Sequence, residues 1–109
     1  MKMPRFNRRI TLQELRPDAT RRDSGQPVST WLDLGDRPER WAGIRAETAA
    51  EREVAGRVAG QFGWAIVIRY DSAVTEQMRV VWGSRTIELD RVQPSECMRF
   101  SVMHGTEQR

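Results

Sequence analysis

The stretch MRVVWGSRTIELD, Met78 to Asp90, decides the fold because it predicts two short strands joined by a tight turn. Alternating apolar and polar residues flank a central Gly-Ser pair. Such a pair suits a two-residue turn of primed type, whose twist matches that of paired strands. With Gly83 and Ser84 as the turn, the two halves form a hairpin, which favours a fold built on antiparallel strands.

This hairpin has one register that separates its apolar from its charged side chains. It pairs Trp82 with Arg85, Val81 with Thr86, Val80 with Ile87, Arg79 with Glu88 and Met78 with Leu89. On the polar face Arg79 then lies opposite Glu88, and a cross-strand ion pair contributes roughly 0.2 to 1 kcal/mol. A shift by one residue would move every side chain to the opposite face. We therefore expect this register and this ion pair.

Five further segments alternate apolar and polar residues with the period of two that is typical of half-buried strands. They are Arg8–Leu15, Val28–Leu34, Trp41–Glu47, Gly63–Tyr70 and Cys97–His104. Because the fourth of them is apolar on both faces, we expect it to be covered by the core on one side and by a helix or a neighbouring subunit on the other. The alternation also places Trp64, Tyr70 and Phe100 in the core.

A single helix is predicted over residues 48–61. Thr48 is a suitable N-cap, and Glu51 stands three residues later, where it completes a capping box. Val54 and Val58 follow at a spacing of four and form an apolar stripe. Two glycines within the segment weaken the helix by up to about 1 kcal/mol each. The helix therefore needs tertiary or intersubunit packing to persist.

Together these elements predict a mainly β protein, a small antiparallel β-barrel or sandwich of about six or seven strands. The one α-helix is inserted between the third and fourth strands. The 109 residues, 39% hydrophobic and 30% charged, suit one globular domain over 1–109. Residues 16–27, rich in turn formers and charge, are expected to form an exposed loop or hairpin tip, and residues 105–109 a flexible tail.

Catalytic and metal sites find little support in the sequence. His104 and Cys97 are the only residues of their types, so neither a metal cluster nor a catalytic pair can be assembled from them. Cys97 is expected to be a buried thiol. The phosphate-binding and nucleophile motifs of common enzyme folds do not occur. We therefore predict no enzyme, no cofactor and no metal.

Transmembrane and secretory segments are not predicted either. No run of about 18 apolar residues occurs, and the start MKMPRFNRR has no apolar stretch of the kind found in signal peptides. We therefore expect a protein that remains in the cytoplasm where it is made and has no membrane partner.

Positive charge is concentrated toward the N-terminal part of a chain whose net charge is +3. Residues 1–45 contain ten Lys and Arg against six Asp and Glu, whereas the remainder contains eight against nine. Arg21 and Arg22 are the best candidates for contacts with a phosphate backbone. Asp18 and Asp23 beside them favour a solvated loop instead. Both interpretations stay open.

The ordered strings of this sequence resemble those of one known family. The strings are RRITLQ, TWLDL, WAGIRAETAAERE, IVIRYDSAVTEQMRVVWGSRTIELDRV and CMRFSVM. In this order and spacing they resemble the phage head-tail joining family, also called head-closure or stopper proteins. The most specific part of the resemblance is Ile68-Arg69-Tyr70, Val74-Thr75, Met78-Arg79-Val80, and Gly83 before the strand with Ile87.

The resemblance implies a small β-barrel with one helix that forms a ring of six or twelve copies in the neck of a virion. A portal or adaptor protein lies above this ring, a tail terminator or tail tube protein lies below it, and packaged double-stranded DNA passes through its lumen. The particle is a tailed phage or a gene transfer agent, and its proteins are made in the cytoplasm of a bacterial host. No catalysis is implied.

If the protein forms a ring, several residues are expected to contact neighbouring subunits or DNA. Extra burial is expected between subunits, because the helix is weak alone and the strand that precedes the hairpin is apolar on both faces. The candidates for intersubunit packing are Val54, Val58, Val67 and Arg69, and those for contacts with DNA or a neighbour are Arg21 and Arg22. The alternative is a small β-barrel module that binds nucleic acid as a monomer.

Overall fold

The computed structural model describes residues 5–21, 27–35, 37–95 and 98–108. Its elements are β1 (Arg8–Arg21), β2 (Pro27–Asp33), β3 (Glu39–Ala46), α1 (Ala49–Ala55), β4 (Gly63–Arg69), β5 (Arg79–Trp82), β6 (Arg85–Pro94) and β7 (Phe100–Gln108). The protein is thus mainly β, with one short helix between the third and fourth strands of the described part, as the sequence predicts.

Six of the strands form a closed antiparallel barrel in the order β1-β3-β4-β7-β6-β5, and β2 lies outside it. β1 closes the barrel because it pairs with β3 through residues 8–11 and with β5 through residues 11–13. From Gln13 onward β1 pairs with β2 as far as Arg21, which lies opposite Pro27. We call this two-stranded extension, residues 13–21 and 27–33, the arm.

The arm and the helix leave the barrel at opposite ends. Glu39, the first residue of β3, pairs with Thr11 of β1, just before the arm begins. The last residue of β3, Ala46, lies next to the start of α1. β4 returns antiparallel to β3, so Arg69 is at the arm end and Gly63 is at the helix end. The arm and the helix therefore mark the two ends of the barrel, which we call the arm end and the helix end.

The core fills the interior of the barrel with inward-facing side chains from all six strands. Its fully buried apolar members include Ile10, Leu12, Ile66, Ile68, Val80, Ile87 and Met103. Ile66 of β4 faces Met103 of β7 across the ladder. Burial of each large aliphatic side chain contributes about 1.5 to 3 kcal/mol. The alternation in the sequence therefore predicts correctly which side chains of these strands face the core.

The core assignment of the aromatic residues is correct only in part. Trp64 packs against the core as expected. Phe100 is half-buried, and its ring lies 5.7 Å from that of Phe6. The prediction for Tyr70 is wrong, because 40% of this residue is exposed. Strand β4 ends at Arg69, so Tyr70 stands beyond the ladder that orients side chains inward.

The hairpin register is confirmed, whereas the predicted ion pair between Arg79 and Glu88 is wrong. Arg79 does face Glu88 in the ladder. Its Nε, however, donates to Oε1 of Gln13 at 2.7 Å, and its guanidinium lies 4.4 Å from the ring centroid of Trp31. Closure of the barrel pairs Gln13 with Arg79. Because Gln13 is half-buried and Glu88 is exposed, Arg79 binds Gln13 instead of Glu88.

Strands extend into two segments that are predicted to be irregular. Residues 16–27 are predicted to form a loop or hairpin tip; β1 continues to Arg21 and pairs with β2, which begins at Pro27, so the loop interpretation is wrong for residues 16–21, and residues 22–26 lie outside the described part. Residues 105–109 were expected to be a flexible tail, but β7 pairs with β6 as far as Gln108. Backbone pairing with a long neighbouring strand produces both extensions, and it does not require an apolar alternation in the segment itself.

The helix is shorter than the predicted span 48–61. The capping box is confirmed, because Thr48 accepts from the N–H of Glu51 and the Glu51 side chain accepts from the N–H of Thr48. α1 ends at Ala55, where Gly56 adopts a left-handed conformation with φ of 69° and donates back to the last turn. This cap stops the helix, because a left-handed residue cannot continue it.

Candidate functional site

Helix α1 buries none of its own residues against the barrel. Val54 is 74% exposed, and Val58, in the turn that follows the helix, is 64% exposed. Phe62, at the end of the same connection, is 41% exposed and lies against Trp64 with ring centroids 4.8 Å apart. The predicted apolar stripe therefore points away from the barrel, and it forms an unpartnered surface on the monomer.

A buried arginine holds the helical segment onto the barrel. Nε of Arg57 donates to Oε1 of Glu47 at 3.0 Å, and its Nη2 donates to Oδ1 of Asp90 at 3.2 Å. The side chains of Arg57 and Glu47 are only 5% and 0% exposed. The register of β6 against β7 shifts at Asp90, which marks a bulge that redirects its side chain. One guanidinium thus connects the segment to β6.

A histidine and a second arginine complete this arrangement. Nδ1 of His104 lies 2.8 Å from Oε2 of Glu47. Arg45 of β3 binds both carboxylate oxygens of Glu51, at 2.5 and 2.8 Å. The Arg45 guanidinium, with help from the Thr48 N–H, lowers the pKa of Glu51 to about 2. We call the set Arg45, Glu47, Glu51, Arg57, Asp90 and His104 the polar cluster.

The polar cluster explains how the helix is retained without an apolar contact face. Charged groups that leave water require charged or hydrogen-bonding partners, and here each partner comes from a different element. The sequence offered one signal, the capping box with Glu47 beside it. The partners His104 and Asp90 are distant along the chain, so their proximity depends on strand pairing.

The described residues offer no arrangement for metal binding. Over those ranges, no group of three or more His, Cys, Asp and Glu side chains is placed to hold a metal ion. Within the polar cluster, arginine guanidinium groups occupy the carboxylate oxygens. Cys97 lies outside the described residues. None of the helices in the described part has the length and apolar character needed to cross a membrane.

Val67 and Arg69 lie on the outer face of β4. Val67 is half-buried between Gly43 of β3 and Val102 of β7. Arg69 is exposed at the arm end. The helix surface formed by Val54 and Val58 is at the other end of the barrel. The structure therefore does not gather the predicted packing residues into one patch.

Of the basic pair predicted for DNA or neighbour contacts, only Arg21 falls in the described part of the chain. Arg21 is the last residue of β1 and lies opposite Pro27 in the ladder, but only its backbone is described. Arg22 lies outside the described residues. Nearer the barrel, the arm exposes Leu15 and Leu32, which are 50% and 45% exposed. Their partners in the ladder are Trp31 and Glu14, so they lie on opposite faces.

Comparisons with known proteins show one family, through a family model, and one fold, through solved structures. The family model for phage head completion proteins matches residues 1–101. A protein from Shigella flexneri 2a, solved in solution, superimposes with a TM-score of 0.77 at 23% identity over 98% of this chain and 96% of that chain. A chain of the virion of a native gene transfer agent particle gives a TM-score of 0.65 at 19% identity over 96% of both chains. No curated protein matches this sequence.

Proposed function

This chain belongs to the phage head completion protein family and is a structural protein of the phage head, and we propose that it forms the ring that connects the head to the tail. In this function the ring contains six or twelve copies. It docks below a portal or adaptor protein and above a tail terminator or tail tube protein. Packaged double-stranded DNA passes through the lumen, and the protein catalyses no reaction.

The observation that carries this proposal is the presence of two separate apolar surfaces on one small subunit. One is the helix surface, where Val54 and Val58 are exposed at the helix end. The other is on the arm, where Leu15 is exposed on one face of the ribbon and Leu32 on the opposite face, so that either face can supply the contact. A head-to-tail ring needs two different contact surfaces on each copy, because each copy touches its two neighbours through different faces. The two surfaces meet this requirement.

The arm supports the proposal in a second way. A two-stranded ribbon with both faces in water is marginally stable, and this one extends beyond the barrel for several residues. Packing against a neighbouring subunit would stabilise it. Arg21, at the end of β1, and the adjacent Arg22 in the sequence would then contact the neighbour or the packaged DNA, where repetition around a ring turns one or two charges into a belt.

Imaging the neck of the particle by electron cryomicroscopy tests this proposal. We expect a closed ring of density between head and tail into which the barrel fits, with copies in contact through the arm and the helix surface. The alternative, a monomeric nucleic-acid-binding barrel, predicts salt-dependent binding of free DNA. Particles whose neck has no density for this barrel would refute the connector, as would a large loss of free-DNA affinity on substitution of Arg21 and Arg22 by Ala.

A further inference from the structure

A groove opens at the arm end of the barrel, between the start of β3 and the residues that follow β4. It encloses about 940 Å³, which is within the range of small-ligand and peptide sites. Its walls include Phe6, Arg9, Arg37, Trp41, Arg69 and Tyr70. We call this feature the arm-end groove. It is complete within one subunit, so inferences about it do not depend on the ring.

Exposed aromatic rings form the apolar part of the groove. Trp41 is 55% exposed and Tyr70 is 40% exposed, although large aromatic side chains usually contribute to the core. Phe6 lies against Phe100 and adds a third ring to the wall. Concentrated aromatic surface in a concave site is typical of grooves that receive apolar or proline side chains.

Ion pairs make the walls of the groove rigid. Nη2 of Arg9 binds Oε2 of Glu39 at 2.7 Å, and its guanidinium lies 5.1 Å from the ring centroid of Trp41. Arg40 binds Asp71 at 2.7 Å from the opposite side. The N–H of Ala73, together with Arg40, lowers the pKa of Asp71. Both carboxylates of the groove, those of Glu39 and Asp71, are therefore already paired with an arginine.

Two cations remain after these pairs are formed. Arg37 and Arg69 line the groove, and neither guanidinium lies within ion-pair distance of a carboxylate among the described residues. Arg69 is exposed at the end of β4, and Arg37 is exposed just before β3. The groove thus combines an aromatic surface with two arginines that form no ion pair with a described carboxylate, although the charge of Arg37 also helps to lower the pKa of Asp71. An anionic occupant would complement both features.

We propose that the arm-end groove binds an acidic peptide segment of another protein. One or two carboxylates of the segment pair with Arg37 and Arg69, and an adjacent apolar or proline side chain packs on Trp41 and Tyr70. A nucleic-acid strand fits less well, because it carries a charge at every nucleotide and would approach the carboxylates of Glu39 and Asp71. A segment with few negative charges avoids this repulsion.

Fluorescence anisotropy with the intact protein tests the proposal. The probe is a fluorescein-labelled heptapeptide with two Glu, two Leu and a central Pro, and its control has Gln in place of Glu. We expect the acidic peptide to bind at least about tenfold more tightly than the Gln peptide, because charged hydrogen bonds are lost in the control. Binding should weaken several-fold when salt rises from about 50 to about 300 mM.

Matched variants locate the site. Arg37→Gln, Arg69→Gln and Trp41→Ala should each weaken binding of the acidic peptide by about fivefold or more, with an unchanged melting temperature. Arg52→Gln removes the same charge from an exposed position on α1 and should change affinity less than about twofold.

Three results would overturn the assignment. They are equal affinity for the acidic and Gln peptides, equal weakening by Arg52→Gln and by Arg69→Gln, and tighter binding of an oligothymidylate than of the acidic peptide. The last of these would assign the groove to single-stranded nucleic acid. Ring density in the particle neck is measured separately, so failure here leaves the connector proposal unaffected.

Discussion

Nδ1 of His104 lies 2.8 Å from Oε2 of Glu47, and both side chains are almost completely withdrawn from solvent. This contact connects the last strand of the barrel to the residue that precedes the helical segment. Glu47 also accepts from Arg57, which reaches across to Asp90. The helical segment is thus retained by hydrogen-bonded charges, and its apolar side chains remain available for a partner.

Removal of Arg57 should be the most destabilising change in the polar cluster. In Arg57→Met, Glu47 keeps its burial but loses its cation, and an uncompensated buried charge costs about 3 to 5 kcal/mol. Urea denaturation measures the loss in the free energy of unfolding. Arg52→Met, at an exposed position of the same segment, is the control and should stay within about 0.5 kcal/mol of wild type. Similar losses in both variants would contradict the role of Arg57.

Glu51 should make stability depend on pH in the acidic range. Its folded pKa of about 2 lies below the ordinary value of 4.5, so its contribution is complete above about pH 4.5 and is lost as pH falls toward 2. The difference in unfolding free energy between wild type and Glu51→Gln should therefore be largest near neutral pH and shrink on acidification. Denaturation at several pH values tests this. Glu53→Gln removes another carboxylate from an exposed position of α1 and is the control. The same change with pH in both variants would contradict the role of Glu51.

Arg79 and Glu88 should differ in their effect on stability although they face each other. Arg79→Ala removes a hydrogen bond to Gln13 and a contact with the Trp31 ring, together worth about 1 to 2 kcal/mol. Glu88→Ala removes an exposed side chain and should change stability by less than about 0.5 kcal/mol. Thermal and urea denaturation of both variants provide the comparison. Strong coupling between the two substitutions in a double-mutant cycle would show that Arg79 and Glu88 do form an ion pair, and it would contradict the structure.

The helix surface should matter for assembly and not for folding. Val54→Asp/Val58→Asp changes two residues that are 74% and 64% exposed, so the unfolding free energy of the monomer should change by less than about 0.5 kcal/mol. Incorporation into particles should fall at least about tenfold, because charge would be buried in an intersubunit contact. Complementation followed by immunoblotting of purified particles measures incorporation.

Ser72→Asp/Gln77→Asp is the control for this experiment, since it adds the same charge at exposed loop positions. It should leave incorporation near wild type. If particles accept the valine variant as well as they accept this control, the helix surface is not an intersubunit contact.

Features that depend on neighbours along the chain could be predicted from the sequence. The register around Gly83 follows from turn chemistry and strict alternation, and the structure confirms it. The capping box at Thr48 and Glu51 needs only three residues of separation, and it is also confirmed. Seven strands with one inserted helix follow from the same local patterns, because each pattern fixes which face of a segment meets water.

The sequence by itself thus determined the number and order of the strands, the hairpin register and the start of the helix, but not how far β1 and β7 extend. Only the tertiary structure decided what lies between distant segments: Gln13 beside Arg79, His104 beside Glu47, and the exposed rings of Trp41 and Tyr70 at the arm end. The physical reason is that side-chain alternation fixes only which face of a strand is inward. Which segments become neighbours, and which charged groups they share, is set by closure of the barrel.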